Sequence, residues 1–232
     1  MAESARSFTR PEARPFRQLH RFHGGIKLPG HREITASTPI RQAPMPPLLV
    51  LPLQQHIGEP AECLVQQGDQ VYRGQPIARQ VGDISAGLHA PTSGTVLAIE
   101  DRPVAHPSGL QAPCIVIETD GEDRGGKTAT HVDYHDLPLD ELCDRIRAAG
   151  IVGLGGAGFP TQVKLGCNTR PIKLLIINGV ECEPYIACDN RLVQERAAEV
   201  IEGVRILQYI VQPTECISAI EDGMSAAESA LQ

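Results

Sequence analysis

Residues 153–164 read GLGGAGFPTQVK, so that Gly153, Gly155, Gly156 and Gly158 crowd together ahead of Phe159-Pro160 and Lys164. Glycine loses more conformational freedom on folding than other residues, so such a run needs a compensating reason. One reason is chemical. Several glycine N–H groups can converge on one phosphate, and a helix starting near Pro160 would add its positive end. Lys164, one of four lysines in the chain, lies about one turn into that helix and could reach the same anion. A helix terminus alone contributes about 0.3–1 kcal/mol, so amides and ammonium would have to act together. The other reason is a tight structural turn, and spacing alone leaves both open. Gly153, Gly155 and Gly158 satisfy GxGxxG, but a dinucleotide fingerprint needs a strand just before it and a helix just after. Here a helical pattern precedes it, with only Ile151-Val152 between, and Phe159-Pro160 delays the next helix to about Thr161. No Gly-Lys-Ser/Thr closes the run, which excludes a phosphate-loop NTPase.

A second constellation follows the apolar run PIKLLIIN, which reads as a buried parallel strand. Asn178, Glu181 and Glu183 then fall at its carboxyl end, where open α/β sheets place their ligand crevice. Glu181 and Glu183 alternate with Cys182, so an extended segment would turn both carboxylates to one side. Cys182 and Cys188 flank an acidic segment and read as buried thiols. The seven cysteines are odd in number and scattered, without a CxxC pair or a recognisable secretory signal. They suggest a reducing compartment rather than a disulfide framework.

These residues need elements to hold them. Leu139, Leu142, Cys143 and Ile146 are at helical spacing, with Gly150 as the expected C-terminal cap. Leu192, Ala197, Val200, Ile201, Val204 and Leu207 mark one face of a longer helix, with Asp189 or Asn190 as its N-cap. CISAIE reads as a strand and SAAESALQ as a helix that runs to the end of the chain, which suggests a longer parent. The alternation of strand and helix is an α/β signature. Residues 39–119 differ, with short apolar runs between turn signals and no helical period, an all-β reading. Within them, LVQQGDQVYRGQPIARQ followed by HAPTSGTVLAIE resembles the flattened barrel of biotinyl and lipoyl carrier domains. Those domains carry a modifiable lysine on a hairpin, yet residues 74–90 contain none. A structural or positioning role is therefore expected of the barrel.

At 232 residues with 41% hydrophobic content, no Trp and 3% aromatics, the core must be built from aliphatic side chains. The net charge of −7 argues against non-specific nucleic-acid binding, and no apolar run approaches a membrane span. Arg6, Arg10, Arg14, Arg17 and Arg21 make residues 1–23 a basic arm, read as a disordered, solvated terminus.

GIVGLGGAGFPT with Lys164, followed by NGVECEPYIACDNRL, resembles the flavin-binding 51-kDa subunit of respiratory complex I. It is more similar still to the C subunit of the Rnf (Rsx) ion-translocating electron-transport complex, which also shares the opening FHGGIKLPGHRE and the lysine-free barrel. The resemblance runs from about residue 22 to 232. It implies an α+β chain: a basic arm at 1–23, a β-rich barrel-sandwich module at 24–125, and at 126–232 the first part of a Rossmann-like α/β FMN/NAD-binding domain, truncated. It further implies that Gly153, Gly155, Gly156, Gly158 and Lys164 cradle FMN phosphate. Asn178 and Glu181 would approach the flavin, Glu183 the nicotinamide of NAD(H), and Phe159 the adenine. The complex I pattern has Arg where this chain has Leu154 and Asp where it has Val180, which implies a looser hold on flavin. The family's CxxCxxCxxxCP motifs are absent, so two [4Fe-4S] clusters are expected only in a longer parent, and no metal ligands here. The implied setting is peripheral, on the cytoplasmic face of the bacterial inner membrane, among other subunits of the complex. There, hydride exchange between nicotinamide and flavin would feed ferredoxin-type carriers and ion translocation. The competing class is a non-catalytic assembly module. Because the hairpin has no lysine, intact mass spectrometry of the protein from its native host should give the unmodified mass. A biotin- or lipoyl-sized increment would overturn the structural reading of the barrel.

Overall fold

Residues 39–119 are all-β, as their pattern predicts. The computed structural model describes residues 28–106, 108–126, 132–155, 158–166, 171–221 and 223–231; the basic arm 1–23 and Gly156 lie outside the described residues. The barrel strands are β1 (Leu48–Pro52), β2 (Glu62–Cys63), β3 (Gln70–Val71), β4 (Pro76–Arg79), β5 (Leu88–His89), β6 (Gly94–Pro103) and β7 (Gln111–Thr119). They form two antiparallel sheets, in the orders β1-β7-β6-β3 and β2-β4-β5. Val71, Ile77, Val96, Ile115 and Ile117 are fully buried between them. This is the aliphatic core that a chain with almost no aromatics must build.

The second half contains α1 (Leu139–Ala148), α2 (Thr161–Leu165), β8 (Leu174–Gly179), α3 (Cys188–Val211), β9 (Glu215–Ile220) and α4 (Ser225–Leu231). β8 and β9 pair in parallel, Leu174 opposite Glu215 through Gly179 opposite Ile220, with α3 as the connection. Leu142, Cys143 and Ile210 form the buried centre of the helical layer, with Ile146, Leu165 and Ile206 packed around them. The expectation of a buried strand at 171–178 is only half met. β8 is parallel, but Leu174, Ile176 and Asn178 on one face are exposed. A parallel strand is buried on both faces only where layers cover both sides, and among the described residues the sheet has two strands.

The sulfur chemistry also departs from expectation. Cys63, Cys114, Cys182, Cys188 and Cys216 are free, but Cys143 is disulfide-bonded. Cys182 and Cys188 are exposed rather than buried.

The two halves meet at glycines. Gly150 follows α1 as predicted: its N–H donates to the Arg147 carbonyl (3.0 Å) and that of Ile151 to Ile146 (3.4 Å). This is a Schellman pair, which requires a left-handed residue at Gly150, and its φ is +65°. A Cβ there would run into the carbonyl of Gly87, in the β4–β5 loop of the barrel. Gly158, at φ +55°, lies equally close to the barrel: a Cβ would stand 3.0 Å from the Gln55 carbonyl and from the His56 Cα. The Ile57 N–H donates to the Gly158 carbonyl across this contact (3.3 Å). Left-handed φ alone disfavours a substituted residue by about 1–2 kcal/mol, and the backbone clash adds to that. Gly150→Ala should therefore destabilise the protein by at least about 1–2 kcal/mol in chemical denaturation, whereas Gly166→Ala, also left-handed but with open space around it, should lose less. Equal losses would mean that the Gly87 contact carries no weight.

Candidate functional site

The glycine loop is a closed loop on the edge of the helical layer. Val152 and Pro160 form an antiparallel bridge. The Gly153 N–H donates to the Phe159 carbonyl (2.8 Å) and the Thr161 N–H to Ile151 (2.9 Å). The helix expected at about Thr161 begins there, as the five-residue α2, with Pro160 at its N-cap. Lys164 reaches back from α2 so that its ammonium occupies the space a Cβ at Gly153 would need. Gly153, Phe159 and Lys164 are thus brought together. Lys164 is exposed and, among the described residues, has no carboxylate partner. Gly155 faces open space, and Leu154 beside it is 91% exposed. Gly158 turns instead to the barrel.

The carboxylates do not behave as an alternating pair. Glu181 is 2% exposed, while Glu183 is exposed. The chain bends after β8 instead of staying extended: Asn178 Oδ1 accepts from the Val180 N–H (3.1 Å), and Tyr185 adopts φ +65°. This bend points Glu181 at the first turn of α3, where its carboxylate accepts from the N–H of Asp189 (2.7 Å) and of Asn190 (3.4 Å). The predicted N-cap at Asp189 or Asn190 is therefore corrected. Ala187 is at the N-cap position and offers no side-chain acceptor, so Glu181 supplies it from outside the helix. Sequence pattern missed this because a cap from eight residues upstream leaves no local signature. Among the described residues no hydrogen bond or ion pair joins this group to the glycine loop.

Glu181, Cys188 and Asp189 bring their ligand atoms within 4.8 Å of one another. Desolvation pushes the Cys188 thiol up, and the charge of Asp189 and the hydrogen bond to Glu181 push it further. Desolvation likewise raises the Asp189 carboxyl, with Glu181 and Glu183 adding to it. With Glu181 committed to two amides and the thiol kept protonated, the trio works as a capping cluster. Its electrostatics contain one built-in donor, Arg32, which donates to the Glu181 carbonyl. Arg32 comes from the motif that opens the described chain.

Comparison with known proteins places this geometry. Residues 20–122 match the RnfC barrel sandwich hybrid domain, and residues 146–232 match the Nuo51 FMN-binding domain. Residues 20–122 thus carry the barrel domain of the RnfC family, and the chain as a whole resembles the C subunits. It is 49% identical over 91% of its length to the C subunit of the ion-translocating oxidoreductase complex of Pectobacterium carotovorum. It is 48% identical, again over 91%, to that of Pectobacterium atrosepticum, and 49% over 92% to that of Pseudomonas aeruginosa. The chain spans only 28–30% of the length of these curated relatives. The barrel-sandwich module is followed by an FMN-binding type of α/β domain, the order that the sequence resemblance implied.

The capping cluster makes a testable statement about reactivity. Cys188 at a helix N-terminus would ordinarily be activated, but desolvation and the surrounding acids oppose this. Iodoacetamide at about pH 8, near the ordinary thiol pKa, should alkylate Cys188 slowly, and Asp189→Asn should accelerate it several-fold. Fast labelling of Cys188, unchanged by Asp189→Asn, would show that the acids do not govern the thiol.

Proposed function

We propose that the chain is the flavin- and nicotinamide-handling part of an ion-translocating oxidoreductase. The observation that carries this reading is the Lys164 ammonium, without a carboxylate partner among the described residues, folded against Gly153 in a segment that matches an FMN-binding domain. We assign the bounds 24–125 to the barrel module and 126–232 to the nucleotide-binding module.

Lys164 would hold the FMN phosphate by a charge-assisted contact, aided by the Gly155 amide in its open surroundings. The residues fit that group: the cradle is one a Cβ at Gly153 would fill, and its cation has no carboxylate partner among the described residues. The Gly153 N–H is committed to Phe159 and Gly158 to the barrel, so the cradle is narrower than the full run Gly153, Gly155, Gly156 and Gly158. Leu154 supplies no charge there. FMN, when bound, supplies hydride acceptance from NAD(H) and one-electron delivery to iron–sulfur carriers. Asn178 and Glu181 shape the crevice at the carboxyl end of β8. Glu181 acts by position and field, since its oxygens are spent on α3. Glu183, which is exposed, would meet the nicotinamide, and Phe159 the adenine. The parent would carry two [4Fe-4S] clusters, associate with other subunits at the cytoplasmic face of the inner membrane, and couple electron flow between NAD(H) and ferredoxin-type carriers to ion movement. Among the described residues no helix is long and apolar enough to cross a membrane.

The internal commitment of Gly153, Gly158 and Glu181 favours a second reading, an assembly module in which the loop is only a joint. FMN and riboflavin titrations separate the two. Lys164→Ala should weaken FMN binding about tenfold to a hundredfold, the equivalent of about 1.5–3 kcal/mol for a charged contact, and leave riboflavin nearly unchanged. Gly153→Val should weaken FMN as well, by displacing the ammonium. Unaltered FMN affinity in a folded Lys164→Ala protein would establish the assembly reading.

A further inference from the structure

The opening motif LPGHRE has no role in the site as proposed, yet it lies directly on it. The Tyr185 N–H donates to the Gly30 carbonyl (2.7 Å), and Thr35 Oγ1 donates to the Tyr185 carbonyl (2.7 Å). His31 stacks on the Tyr185 ring at 4.9 Å and 19°. A few residues on, the Ile40 N–H donates to both oxygens of Glu195 (3.1 and 3.2 Å), and Arg191 reaches the Ala36 carbonyl (3.5 Å). Residues 30–40 are thus a strap across the start of α3, laid down before the chain enters β1.

Arg32 is the centre of this strap. Its guanidinium forms a two-pronged pair with Glu221, Nη1 to Oε2 and Nη2 to Oε1 (3.1 Å), and Nη2 also donates to the Glu181 carbonyl. Glu181 follows β8 by two residues and Glu221 follows β9 directly, so one planar cation joins the carboxyl ends of the two parallel strands. Such fork geometry is specific to arginine. Both side chains of the pair are about three-quarters shielded, where a charge pair is screened less than at the surface.

We propose that Arg32 is a positioning residue. It ties the ends of β8 and β9 together and holds the 181–185 loop so that Glu181 reaches α3 and the crevice keeps its shape. This rests on the flavin reading for its effect on binding, but not for its effect on the loop. The two are therefore read separately, by hydrogen exchange at the amides of Tyr185, Asp189 and Asn190 and by FMN titration. Arg32→Ala should speed exchange at those three amides about tenfold or more, the scale of a lost charged hydrogen bond. Exchange at Ile115 and Ile117 in the barrel should not change. FMN affinity should fall about tenfold. Arg32→Lys, which keeps the charge without the fork, should fall between Ala and the unaltered protein on both readouts. Unchanged exchange in Arg32→Ala overturns the proposal, as does faster exchange without any loss of FMN affinity. A uniform rise across barrel and loop in both variants overturns it too, because Arg32 would then be a general stability residue. If the unaltered protein does not bind FMN, the flavin reading fails, and the exchange contrast alone decides whether Arg32 holds the loop.

Discussion

The carboxylate of Glu181, removed from water and set against the first turn of α3, is the contact on which the second half is built. A buried carboxylate is unfavourable unless its oxygens are paired. Two backbone amides and the positive end of a long helix provide the pairing. The arrangement fixes where α3 begins and how far the chain must bend after β8. That bend puts Tyr185 at a left-handed φ, a conformation that disfavours a residue with a side chain by about 1–2 kcal/mol. Hydrogen bonds to both sides of the Tyr185 peptide, from the 30–35 strap, offset it. Loop, helix start and strap are therefore one unit, assembled from segments some 150 residues apart in sequence.

The barrel contributes to the same end by a different means. In a carrier domain the hairpin is presented to solvent. Here the second half of the β4–β5 loop is covered, while residues 81–84 stay exposed: the Glu59 N–H donates to the Ile84 carbonyl (3.0 Å), and Ser85 and Ala86 are buried. His56 holds Ala86 through its ring nitrogen (3.0 Å), and Gly150 seats on the Gly87 carbonyl. A lysine within residues 85–87 would have to be desolvated in this contact, which is unfavourable without a partner. Through Gly87 against Gly150, and Gln55 and His56 against Gly158, the barrel is a platform for the glycine loop.

Much of this was legible in the sequence where the determinants are local. The helical spacing of Leu139, Leu142, Cys143 and Ile146, the αL glycine after it, and the alternation of short strands and turns in 39–119 are local, and the elements lie where they point. The family resemblance rested on motifs, which is why it survived the errors of detail. Those errors share one cause. The facing of Glu181 and Glu183, the N-cap of α3 and the exposure of one face of β8 are set by contacts between distant segments. Alternation in an extended chain was the wrong period for Glu181-Cys182-Glu183, because a capping demand from α3 and a strap from Gly30 to Thr35 bend the loop. Leu174 and Ile176 look like buried-strand residues, and are exposed because composition does not reveal how many layers cover a sheet.

The glycine run shows how one motif can satisfy unrelated constraints. Gly158 is required by the approach of the barrel backbone and would be required even if nothing bound nearby. Gly153 leaves room for the Lys164 ammonium, which a side chain there would displace. Gly155, with open space and a solvated Leu154 beside it, is required by neither. A motif match weighs these positions equally, whereas the geometry ranks them. Substitution at Gly158 tests the joint between modules, and substitution at Gly153 tests the placement of a cation. At Gly155 a side chain would meet nothing within 4 Å among the described residues, so substitution there is the least disturbing probe of a ligand.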